Sequence, residues 1–165
     1  MQTEVRSWHQ ENAAARPLAE LLACPAATGN LLNSAAQGID FQAGEMVFRQ
    51  MGVCRGLYVI VAGRFLRKAE RLETRLTLGS VRAGELVELA AALGSHLHTY
   101  TLVAQSAGSV MLLPLDALER AFAAYPPLRM QLLGELAREV SRAYSSCCLD
   151  RLLPARRRAI GMAQA

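Results

Sequence analysis

The sequence predicts a mainly β protein, a barrel or sandwich with helices on both flanks, and three observations carry that prediction. Short runs rich in β-branched and aromatic residues recur about every ten residues with glycine between them. From Asp116 onward the apolar residues change to helical spacing and keep it. Between these regions, in Gly84 to Val110, a strand pattern is interrupted by a short helical run and then resumes.

At 165 residues the chain fits one domain with appendages, long enough to bury a sizeable core. Its apolar fraction of 52% is high, yet no run of about 18 uninterrupted apolar residues exists, so no membrane span is expected. The N-terminus carries acids and amides where a signal peptide carries a basic start and an apolar centre, which reads as cytoplasmic. Cys24 and Cys54 are isolated and Cys147–Cys148 adjacent, so no paired zinc spacing appears and reduced thiols are expected. The net charge of +4 belongs to the tail: Arg151, Arg156, Arg157 and Arg158 stand in residues 151–165 with no acid, leaving residues 1–150 neutral. That cluster is read as a solvated tail ahead of a phosphate-binding arm.

In chain order, residues 1–15 are polar and Ala-rich with only Trp8 and His9 distinctive, and weak helix or fraying is expected there. Pro17–Leu22 makes a short helix, and Pro25 starts a second that Gly38 closes. Ile39 and Phe41 then alternate with polar residues, Ala43–Gly44 turns the chain, and Met46–Phe48 is the next strand. Leu57–Val61 is too short and too rich in β-formers for a helix and reads as a central strand. Phe65–Arg67 and Arg75–Leu78 form a hairpin with a charged tip over Lys68–Glu73, ending at a Gly79–Ser80 turn. Leu86–Val87 is brief, Leu89–Leu93 is a helical turn or two, and Gly94–Ser95 breaks it. A strand follows over His98–Ala104, then a last one over Val110–Leu113 that Pro114 stops. A helical turn wedged between two barrel strands can offer its N-terminal amides to an anion, so any ligand pocket is expected here.

Asp116–Ala124 reads as a helix, and Pro126–Pro127 precedes a long one from Leu128 to about Leu149. Along it Leu133, Leu136, Val140, Ala143 and Cys147 recur at alternating threes and fours, the seam of a two-helix coiled coil. Leu128, Leu132 and Tyr144 form a second apolar set for the barrel, so a parallel homodimer is preferred over a seam packed on its own barrel.

This order of elements resembles the cyclic-nucleotide-binding domain of the Crp/Fnr family, over roughly residues 25–150, with a helical lead (1–37), a jelly roll (38–114), C-terminal helices with the dimerisation helix (115–150) and a basic tail (151–165). Ala43-Gly44-Glu45-Met46-Val47-Phe48 and Leu57-Tyr58-Val59-Ile60-Val61-Ala62-Gly63 match two of its motifs. The resemblance implies a phosphate cassette of the form GDxxGELALL, then an Arg and a small residue. Gly84, Glu85, Glu88, Leu89, Ala90 and Ala91 fall in its frame, with His98, Thr99 and Tyr100 after it. Glu88 stands where the family has Gly, Leu89 where its Glu binds the ribose hydroxyl, and His98 where its Arg pairs with the phosphate. A one-residue gap would restore the Glu without the Arg.

A mostly neutral His offers at most one donor where an Arg fork gives two charge-assisted bonds. The expectation is therefore a non-enzymatic sensory or regulatory module that does not hold cAMP or cGMP in the usual way. It implies no cofactor, and an unknown small ligand or protein partner. The family's winged helix needs about 60 further residues, and 15 follow Asp150, so sequence-specific DNA binding by this chain alone is not expected. The alternatives are a truncated regulator of the same family, or a haem, metal or redox sensor using His96, His98 and the cysteines. No nucleophile, base and orienting group stand at recognisable spacing, so no enzyme is expected.

Overall fold

The computed structural model describes the backbone of residues 17–71 and 74–162 and the side chains of residues 17–71 and 74–145. Trp8, His9, the hairpin residues 72 and 73, and the side chains of Cys147, Cys148, Arg151 and Arg156–Arg158 lie outside them. Two antiparallel four-stranded sheets face each other. One has the order β1-β8-β3-β6 and the other β2-β7-β4-β5. The strands are β1 Gln37–Phe41, β2 Met46–Phe48, β3 Gly56–Ala62, β4 Arg64–Arg71, β5 Thr74–Arg82, β6 Leu86–Val87, β7 Thr101–Ala104 and β8 Gly108–Pro114. This is the mainly β jelly roll expected.

Helices pack on the outer face of the first sheet. α1 Leu18–Leu21, α2 Ala26–Ala35, α3 Leu115–Ala124 and the start of α4 Pro127–Met162 supply them. β3 is buried on both faces as a result. Leu57 and Val59 join Leu18, Leu32, Leu113, Leu118 and Leu128 in the cluster beneath the helices. Tyr58 and Ile60 turn the other way and join Phe48, Phe65, Leu102 and Val110 between the sheets. Period-two alternation thus divides one strand between two cores. Among the described residues no helix is long and apolar enough to cross a membrane.

A short sequence repeat shapes the two chain reversals beside the candidate site. Gln42-Ala43-Gly44-Glu45 and Arg82-Ala83-Gly84-Glu85 adopt the same turn, with Gly44 at φ +89° and Gly84 at +88°. In each, the Glu carboxylate accepts from the amide three residues back, at 2.8 Å in both cases. The left-handed angle calls for glycine, and the carboxylate satisfies an amide the turn would otherwise leave open.

Several boundaries differ from expectation for local reasons. Gly38 pairs with Met111 inside β1, and Ala36 caps α2 instead. Gly79–Ser80 stays within β5 because a bulge opposite Arg67–Lys68 absorbs the irregularity. Gly94–Ser95 does not end the helical run. Ala91–Ser95 forms a wide π turn, and the left-handed His96, φ +56°, closes it. The strand expected from His98 begins only at Thr101. Tyr144, expected to face the barrel, is 72% exposed, whereas Leu128 and Leu132 are buried as expected. The long helix runs on through Met162, so the expected basic tail continues it.

Candidate functional site

The expected cassette begins as read and then divides. β6 ends at Val87, and Glu88 takes the left-handed conformation, φ +68°. For a non-glycine residue that conformation costs about 1–2 kcal/mol. It also turns the chain so that successive side chains go to different cores. Leu89 and Ala91 enter the cluster beneath the helices. Glu88 stays on the barrel side against His98, Thr99 and Tyr100. Of the residues expected to form the site, those four converge. Gly84 and Glu85 build the preceding turn, and Leu89 and Ala91 are core. Leu89, expected in the pocket, is buried in that cluster and not on the Glu88 side. Ala90 is half-buried at the start of the turn.

The Glu88 carboxylate, with a fully buried side chain, is held by its own chain. Oε1 accepts from the Thr99 hydroxyl at 3.0 Å and the Thr99 amide at 3.2 Å, and that amide also reaches Oε2 at 3.3 Å. The Glu88 amide donates to the Tyr100 hydroxyl at 3.3 Å. Burial pushes the Glu88 carboxyl up to about 7, against the lowering effect of the Thr99 bonds.

His98 is 2% exposed and stacks on Phe48, ring centroids 3.9 Å apart and 5° from parallel, with Tyr58 tilted against it at 5.8 Å. Its Nδ1 lies 3.5 Å from Glu88 Oε2 but makes no aligned hydrogen bond. Burial, helped by the Arg55 cation, pushes the imidazole down to about 4, so it is neutral at pH 7. A neutral ring wedged between aromatics cannot supply the cationic fork that a phosphate needs.

Two residues not singled out from the sequence complete the surroundings. Arg67 lies on β4 two residues from the buried Phe65, hence on the same inward face. Its guanidinium sits over the Tyr100 ring at 5.8 Å and its Nη1 meets Glu139 Oε1 of α4 at 3.0 Å, while its buried Nε has no partner. A charge at an inward strand position is the sequence signal for Arg67. For Glu139 it is the spacing from Leu132 and Leu136, which places all three on one helix face. His96, by contrast, is exposed in the left-handed cap and does not join His98. No group of three or more His, Cys, Asp or Glu able to hold a metal occurs among the described residues.

The family model for the cyclic nucleotide-binding domain matches residues 39–125. No curated protein matches the chain. Among solved structures, a cyclic nucleotide-binding domain from Methylobacillus flagellatus is similar at a TM-score of 0.67 and 18% identity, covering 84% of this chain and 82% of its own. The Thermus thermophilus catabolite activator protein is similar at 0.69 and 21%, covering 81% and 62%. The sensor domain of the transcriptional regulator DNR from Pseudomonas aeruginosa reaches 0.65 and 17%, covering 79% and 87%. At these identities the likeness is one of fold.

Proposed function

The chain belongs to the cyclic nucleotide-binding domain family, and on that premise we propose a non-enzymatic regulatory module whose phosphate seat is taken by its own Glu88. In the family's mode, as the resemblance implies it, a Gly leaves room for a cyclic phosphate and an Arg neutralises it. Here a left-handed Glu fills the Gly position, and a neutral, stacked His replaces the Arg. The observation that supports the reading is the Thr99 pair of donors closing on the Glu88 carboxylate at 3.0 and 3.2 Å. A side-chain anion there both occupies the donors and repels a second anion. A parallel homodimer through α4 belongs to the same reading, because Leu133 and Val140 are exposed on the single chain, whereas Leu136 of the expected seam packs against the chain's own core.

Titration calorimetry with cAMP and cGMP tests the proposal. Two lost hydrogen bonds to a charged phosphate, at about 1.5–3 kcal/mol each, weaken binding at least about 100-fold. The parent chain should therefore show no binding in the micromolar range. Glu88→Gly, which relieves the left-handed strain and removes the acid, should bind better than the parent while still lacking the Arg. A low-micromolar dissociation constant for the parent would overturn the proposal.

A further inference from the structure

The Glu88–His98 contact has a property that self-occupation alone does not require. The two carboxylate oxygens are in different surroundings. Oε1 receives two good donors from Thr99, the hydroxyl at 3.0 Å and the amide at 3.2 Å. Oε2 has only the longer amide contact at 3.3 Å and faces His98 Nδ1 at 3.5 Å. That nitrogen is buried and lacks an aligned partner. A buried polar atom without a partner is destabilising, so the arrangement is incomplete as it stands. What would complete it is one proton on Oε2: the carboxyl O–H then donates to Nδ1, while Nε2 keeps the ring proton.

We propose that Glu88 and His98 form a proton-operated switch with two positions, the carboxylate held by Thr99 and the carboxylic acid turned onto His98 Nδ1. The inference rests on the reading that Glu88 occupies the phosphate seat. The chain's effector there is a proton taken from solvent, and no other reactant is needed. The ionised form needs donors, which Thr99 provides. The acid form is itself a donor, and the unpartnered Nδ1 of the neutral imidazole is the acceptor that faces Oε2. Rotating the carboxyl toward His98 loosens its grip on Thr99, the residue that leads into Tyr100 and β7. Tyr100 in turn carries the Arg67 guanidinium on its ring, and Arg67 holds Glu139 of α4. The charge on Glu88 is therefore two side chains away from the long helix.

The groups facing the pair leave a clear window for this titration. Cys54 and Tyr58 face Glu88 from the chain leading into and along β3, and Tyr100 from the approach to β7. Burial pushes all three up, away from neutral pH. Glu139 of α4 adds a negative charge that disfavours the carboxylate, and Arg55 adds a positive one that keeps His98 unprotonated. Both effects favour the proton on Glu88 and not on the ring. With burial they bring Glu88 to about 7.

The test is a pH titration of the full chain by NMR between about pH 5.5 and 8.5, following the Glu88 carboxyl carbon, the His98 ring nitrogens and the Thr99 amide. All three should move with one common midpoint near neutral pH, and Glu88→Gln should flatten the His98 and Thr99 curves. Thr99→Val removes a donor to the carboxylate alone, so it should raise proton affinity about tenfold, moving the midpoint upward, and thermal melting confirms that each variant is folded. A Glu88 midpoint in the ordinary carboxylate range, a Thr99 amide that ignores it, or an unmoved midpoint in Thr99→Val would overturn the switch. Tight binding of a cyclic nucleotide would instead sink the self-occupied seat, so the two failures are told apart.

Discussion

Removing Glu88 or His98 one at a time should give the fold opposite responses to pH. Burial raises Glu88 from 4.5 to about 7. A group raised on folding stabilises the fold fully below its unfolded value, and the contribution is lost as pH climbs through the folded one. For Glu88 that window runs from 4.5 to about 7. His98 is lowered from 6.5 to about 4, so its contribution is complete above 6.5 and is lost as pH falls toward 4. At about 1.4 kcal/mol per pH unit, each window is worth about 3 kcal/mol. Between roughly pH 4.5 and 6.5 the folded parent holds the proton on Glu88 and the unfolded chain holds it on His98, so the pair contributes no slope there. His98→Phe, which keeps a ring against Phe48, should become more stable relative to the parent by about 3 kcal/mol as pH falls from 7 to 4.5. Glu88→Gln should lose about as much, relative to the parent, between pH 6.5 and 4. Urea unfolding across a pH series measures both, and the other carboxylates cancel in the comparison. Curves for both variants that parallel the parent within about 1 kcal/mol would refute the argument.

Two further outcomes follow from packing. A Cβ on Gly56 would collide with the Leu113 carbonyl oxygen, between strands that must stay paired, so Gly56→Ala should cost at least about 3 kcal/mol or abolish folding, as thermal melting would show. Val140 is 59% exposed on the single chain, and Val140→Asp should turn a dimer into a monomer because two facing carboxylates oppose burial in an apolar seam. Sedimentation equilibrium decides it: a parent still monomeric at high micromolar concentration removes the dimer.

What the sequence conveyed was whatever depends on local periodicity. Tyr58 and Ile60 alternating with Leu57 and Val59 made β3 a central strand, and Leu118 with Phe122 gave the buried face of α3. The convergence of Glu88, His98, Thr99 and Tyr100 was legible too, because the motif frame places them within thirteen residues of one another. Leu89 was not, since its direction depends on the φ of Glu88, a left-handed angle that sequence gives no reason to assign to a glutamate. Gly79 reads as a turn in sequence, because a bulge exists only once β4 and β5 are paired. Arg67 and Glu139 are not legible as a pair for a similar reason. They are 72 positions apart and meet only when α4 is laid across the barrel.

That meeting has a mechanical side. Glu139 is the place where β4 grips α4, and 23 residues of the helix lie beyond it, Met162 included. At 1.5 Å per residue they form an arm about 35 Å long, so a tilt of about 10° at the grip sweeps its far end through about 6 Å. A tilt of the helix about the Arg67–Glu139 pair would therefore turn a small displacement at the barrel into a movement the size of a side chain at the other end.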